Sequence, residues 1–257
     1  MFNQIQLKNP ILYWLGFIHF LIFLLLLLYF PFNNTIVLGI NACIKPMKFA
    51  LSIWIYSWTM ALIMFYFKDK NKVKIYSRVA VLAMGFEQIA ITTQALRGQL
   101  SHFNSDNKYG IILFSLMGIF ILIITLWTGY MAFIFIKQKT YNITPALVLG
   151  IKIGLISFVV FSLFGGYISG LKGHTVGASD GSAGLPFLNW STLFGDLRVA
   201  HFMGIHALQA MPLFALLAIK YVKNKAIQVV WVISIVYLTF VIFTLIQGLL
   251  GIPFMRY

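Results

Sequence analysis

Seven stretches of the chain, 11–31, 49–67, 76–97, 111–136, 145–169, 199–221 and 227–250, are apolar over close to the length that a helix needs to cross a bilayer. A helix rises about 1.5 Å per residue, so roughly 20 residues span the hydrocarbon core. In lipid every backbone N–H and C=O must be bonded internally, and a helix does this within one segment. The pattern therefore predicts an all-α, polytopic membrane protein with seven transmembrane helices. Composition leaves no water-soluble alternative. With 61% hydrophobic and 9% charged residues, the chain cannot coat a globule in polar groups. The first stretch is too long for the apolar core of a signal peptide, and no small-residue cleavage site follows it, so it is expected to be retained. No soluble domain, internal repeat or low-complexity tail interrupts the pattern, and residues 1–257 are expected to form a single transmembrane domain.

Orientation follows from the basic residues. The linker after the second span carries Lys68, Lys70, Lys72, Lys74 and Arg78. Those after the fourth and sixth add Lys137, Lys139, Lys220, Lys223 and Lys225. These linkers alternate onto one side, which the positive-inside rule makes cytoplasmic. The N-terminus is then expected inside and the C-terminus outside. The formal net charge of +14 reads as a topology signal plus attraction to anionic membrane lipids. A nucleic-acid partner is not expected, because the basic residues sit in short linkers without a folded platform. Single Cys43 excludes an internal disulfide and any CxxC metal or redox motif.

The unusual chemistry gathers in the external linkers. The segment 171–198 is the longest connection, rich in glycine yet carrying Phe187, Trp190 and Phe194. A passive flexible linker has no need of three large aromatics, and the segment is expected to form an ordered lid over the external mouth. In the third span stands the only glutamate, Glu87. On a helical wheel Glu87, Ile91, Gln94, Arg97 and Ser101 share one face, a polar stripe from mid-membrane to the external surface. A charged side chain at the bilayer centre costs about 2.5–3.5 kcal/mol even on the mildest scale, so such a residue points to function by default.

The sixth span supplies the second wall of the expected site. It carries Arg198, His201, His206 and Gln209 along "RVAHFMGIHALQ". His206 and Gln209 share one face, Arg198 and His201 another. Five residues apart, His201 and His206 do not share a face, so this is not the i, i+4 metal motif. Glu87 and His206 lie at similar depth, and they are expected to act as an acid/base pair with Gln94 and Gln209 beside them. His102, His174 and His201, all level with the external mouth, are the candidate ligands for zinc, copper or iron. His19, in the first span, offers a haem-ligand alternative to its more ordinary reading as a buried, satisfied histidine. Lys45, Lys48, Arg97 and Arg198 form a set of external cations suited to a small anionic or lipid-like ligand.

Two seven-helix classes are excluded. The seventh span has no lysine for a retinal Schiff base, and no histidine for the HxxxH of the zinc hydrolases of the ceramidase type. The segments "NACIKPMKFALSIWIY", "QALRGQLSHFN" and "GDLRVAHFMGIHALQ" resemble those of a family of seven-helix bacterial integral membrane proteins to which no activity is attached. The resemblance spans most of the chain and implies a multi-pass protein of the bacterial plasma (inner) membrane. Two functions are consistent with these residues. One is a membrane enzyme or redox protein with a metal- or haem-dependent His/Glu site open to the outside. The other is a proton-coupled transporter or ligand sensor that uses Glu87 and His206.

Overall fold

The computed structural model describes residues 2–104 and 107–256. A short helix α1 (Phe2–Lys8) leads into α2 (Pro10–Tyr29), and six further helices follow: α3 (Ile44–Met64), α4 (Lys70–Leu96), α5 (Lys108–Lys137), α6 (Pro145–Gly170), α7 (Arg198–Tyr221) and α8 (Ala226–Leu249). Seven helices, all but α1, are long and apolar enough to cross a membrane. This is a multi-pass membrane protein. Its exposed surface says the same: Leu25 and Leu28 on α2, Ile112 and Leu126 on α5, and Val236 and Phe243 on α8 are all more than half exposed. Only lipid makes such a surface stable.

The helix boundaries differ from the sequence reading where capping extends a helix into polar sequence. The basic stretch after the second span was expected to be a linker, yet Lys70, Lys72 and Lys74 belong to the first turns of α4. Asp69 caps them, its carboxylate accepting from the Lys72 N–H at 3.1 Å. Likewise α3 begins at Ile44 rather than 49, because Pro46 is tolerated in a first turn where its missing N–H costs nothing. Lys45 and Lys48 are thereby helical.

The chain divides into two compact units, 1–124 and 125–257, with the division inside α5. In the first unit α2 packs on α3, and α4 on both. Gly16 lets the Trp58 ring close onto α2, and the Trp58 indole donates to the Tyr13 carbonyl at 3.1 Å. Asn9 fixes α2 against α4: its carbonyl oxygen accepts from the Leu12 N–H and its amide donates to Ser77 Oγ at 3.0 Å. Between α2 and α3 a hairpin pairs β1 (Ile36–Val37) with β2 (Ile40–Asn41) through Leu38 and Gly39, both at positive φ.

In the second unit α6 and α7 make the closest approach. A Cβ on Gly150 would lie 2.7 Å from the Met211 carbonyl oxygen, and one on Gly154 2.9 Å from that of Ala207. Small residues four apart let two backbones touch, which is how helices associate in lipid. The 171–198 segment of this unit is folded. β3 (Thr175–Val176) pairs with β4 (Gly195–Asp196), Gly184 bridges to Ser191, and buried Trp190 stacks edge-on against Phe202 and Phe254. β4 lies against the end of α8, where Gly195 approaches Gly248 too closely for any side chain.

Candidate functional site

Glu87 sits on the inward face of α4 and is 2% exposed. Of the expected polar stripe, Ile91, Gln94 and Ser101 are buried with Glu87, while Arg97, where α4 ends, is exposed. How α4 ends determines what Glu87 meets. The Gly98 N–H donates to the Ala95 carbonyl and the Gln99 N–H to that of Gln94, with Gly98 at φ +65°. This is a Schellman ending, which turns the chain sharply back. The Gln94 amide then donates to the Leu100 carbonyl at 3.0 Å, and the Asn104 amide donates to the same oxygen. The returning loop brings His102 onto the face of α4 that carries Glu87.

The result is a chain of three ionisable groups within the first unit. Lys45 Nζ donates to His102 Nδ1 at 3.1 Å, and His102 Nε2 lies 3.6 Å from Glu87 Oε1. Ser101 Oγ is also 3.1 Å from Nδ1. An ammonium group can only donate, so Nδ1 must accept, and the proton of a neutral imidazole is assigned to Nε2, facing the carboxyl. Glu87 Oε2 is buried and has no hydrogen-bond partner among the described residues. The imidazole is walled by the rings of Phe49 and Phe114, each 5.8 Å away between centroids. Phe49 in turn packs on the buried cluster of Ala90, Ile91 and Met117. A buried carboxyl, an imidazole aimed at it and an ammonium behind the imidazole form an acid/base relay in a low-dielectric setting.

The structure places the other expected site residues as follows. Gln94 and Arg97 shape the turn: Arg97 Nη1 donates to Gln94 Oε1 at 3.1 Å, and the guanidinium lies over the Tyr109 ring at 4.6 Å. Lys48 is half-buried in the first turns of α3, one helical turn from Lys45. In the second unit, Arg198 is held by Asp196, with Nε to Oδ1 at 2.9 Å and Nη2 to Oδ2 at 2.5 Å, and also donates to the Asn189 carbonyl. Asp196 is fully buried and accepts from the Ser191 N–H as well, so Arg198 ties the 171–198 segment to the start of α7.

The partner given to Glu87 is His102. His206, the residue expected to face it, is bonded within the second unit, Nδ1 to Gln209 Oε1 at 3.2 Å, and stacks on Phe202 at 4.3 Å. His206 Nε2 is buried without a hydrogen-bond partner among the described residues. The three histidines read as metal ligands have separate partners. Lys45 and Ser101 hold His102. His174 pairs with Asp180 at 2.9 Å, and His201 donates to the Phe161 carbonyl at 2.7 Å while its ring fills the space above Gly165. No three His, Cys, Asp or Glu side chains gather to hold a metal among the described residues. His19 donates from Nδ1 to the Leu15 carbonyl at 2.7 Å.

His174 and Asp180 lie outside the spans, in the 171–198 segment. Burial pushes the His174 imidazole below its ordinary value, against the pull of Asp180. Burial would raise the Asp180 carboxyl, yet bonds from His174 and Thr175 hold it well below the usual carboxylate range. The imidazole lies beside the Asp180 carboxylate, which accepts from the His174 and Thr175 backbone N–H groups and so fastens the start of the segment.

Gln88 was missed from the sequence. Its amide donates to the Pro46 carbonyl and to Thr92 Oγ1, and its Oε1 is buried without a partner among the described residues. It stands about 100° from Glu87 on the wheel, off the stripe, and only the position of α3 gives it a role. No family model, no curated protein and no solved structure matches the chain, so the chemistry of the site rests on its own residues.

Proposed function

We propose that the protein couples proton uptake to the binding of a small anion at the Lys45–His102–Glu87 site, as a proton-coupled transporter or ligand sensor of the membrane. The observation that carries this reading is Glu87, a buried carboxyl with one oxygen 3.6 Å from His102 and the other without a partner among the described residues. Charge counting gives the coupling. With Glu87 ionised and His102 neutral, the three groups sum to zero. With both protonated they sum to +2, one helical turn from Lys48. Low-dielectric surroundings do not support that charge alone, and an anion neutralises it. Protons and anion therefore bind together, each raising the affinity for the other by the same factor.

The orientation belongs to the same reading. Basic residues at one end of the spans support a cytoplasmic N-terminus and an external C-terminus, which puts Lys45 and His102 at the external end of the first unit. Glu87, ten residues before Arg97, then lies roughly 15 Å deeper. The membrane is assigned as the bacterial inner membrane on the resemblance of the three sequence segments.

Titration calorimetry of the purified protein with acetate, bicarbonate and inorganic phosphate, in acid and alkaline buffers, tests the reading. At least one anion should bind more tightly in acid, by up to tenfold per pH unit for one linked proton. Binding with no pH dependence, or no binding of any of the three, contradicts it.

A further inference from the structure

The geometry points to a second ligand site in the first unit, a cavity that takes the phosphodiester of an anionic membrane lipid. The cavity, about 220 Å³, lies where α2 begins, α3 ends and α4 begins, and is lined by Lys8, Asn9, Met64, Phe65, Lys70 and Val73. Two cations converge there on one residue. Lys8 Nζ stands 3.5 Å above the Phe65 ring, while Lys70 Nζ is 5.7 Å from the same ring and donates to the Phe65 carbonyl at 3.1 Å.

No carboxylate is among the described residues that line the cavity. Asp69, next to Lys70 in the chain, is engaged by Lys72 at 3.4 Å and caps α4. Asn9 spends its amide on Ser77 and its carbonyl oxygen on the Leu12 N–H. Both ammonium groups are exposed, and two cations held beside one ring favour an anion that bridges them.

Its chemistry follows from the walls. Met64 and Val73 are buried and apolar, and Leu7 and Leu62, near lining residues in the chain, are exposed. The cavity sits at the end of the spans, the level at which head groups lie, and on the end that carries the basic residues. Basic pockets between spans at that level bind anionic head groups. A lipid phosphodiester satisfies the two lysines while its acyl chains cover the apolar flank. A free phosphate offers the same charge and leaves that flank uncovered.

Native mass spectrometry of the detergent-solubilised full chain, supplied with phosphatidylglycerol or phosphatidylcholine, tests the site. Phosphatidylglycerol should be retained, with affinity falling about tenfold in the double variant Lys8→Gln plus Lys70→Gln and about threefold in Lys8→Gln alone, an exposed position outside the spans. The charge-matched variant Lys137→Gln plus Lys139→Gln should change it less than about twofold. Equal loss in that control, equal retention of phosphatidylcholine, or displacement of phosphatidylglycerol by inorganic phosphate would each overturn the assignment.

Discussion

Glu87 is the residue on which the account turns, because its substitution separates charge from protonation. Glu87→Gln mimics the protonated carboxyl, so the variant should insert and fold normally and, in alkaline buffer, bind the anion more tightly than the native protein, keeping only the pH dependence that His102 contributes. Loss of binding at all pH values would mean that the carboxylate itself contacts the ligand. Lys45→Gln removes the donor that fixes the His102 tautomer and one positive charge. It should weaken anion binding about tenfold, the worth of a charge-assisted hydrogen bond, and calorimetry reads both effects. Much of this was legible in the sequence. Glu87 stood out as the only glutamate, set in an apolar span on a stripe with Gln94 and Arg97, and Lys45 and His102 were both singled out. Their juxtaposition was not legible. Fifteen residues separate Glu87 from His102, and the chain closes that distance through the Gly98 ending of α4, a local backbone event that a helical wheel cannot express.

At the scale of elements, two features carry testable weight. The α6/α7 contact depends on Gly150 and Gly154, where a methyl group would meet backbone rather than a movable side chain. Gly154→Ala should destabilise the protein by about 1–3 kcal/mol, read as a lower melting temperature in detergent. Gly166→Ala, also in α6 but with nothing within 4 Å of the added carbon, should be neutral or gain about 0.5–1 kcal/mol. Equal effects at the two positions would refute the packing argument. The 171–198 segment, expected as a lid from its aromatics, is ordered by groups that the sequence could not rank: Asp196 with Arg198, and Asp180 with His174. For the second pair both shifts act in one direction. The unfolded chain binds protons at His174 and Asp180 before the folded segment does, so its stability is full above about pH 6.5 and declines as pH falls through the imidazole and then the carboxylate range. Amide exchange over 174–180, corrected for its intrinsic pH dependence, should accelerate on acidification. Asp180→Asn should already exchange fast at neutral pH.

For the whole molecule, hydropathy made the fold readable, since the seven expected spans coincide with the seven long helices to within about six residues at every end. The discrepancies lie where a cap or an N-terminal proline extends a helix past its apolar core, as at Asp69 and Pro46. Orientation rests on the basic residues alone. A Ser182→Cys variant in a Cys43→Ala background should react with an impermeant maleimide from the outside of intact cells, and labelling from the cytoplasmic side only would invert the topology. The central claim, that a buried carboxyl changes protonation as an anion binds, has a direct spectroscopic signature. The chain holds only five carboxylic side chains, of which Glu87 is the sole glutamate, so infrared difference spectroscopy can isolate it. Adding the binding anion near neutral pH should produce the carbonyl stretch of a protonated carboxylic acid. That band should be absent in Glu87→Gln and shifted in frequency in His102→Gln. Anion binding without the band, or a band unchanged in Glu87→Gln, would contradict the account.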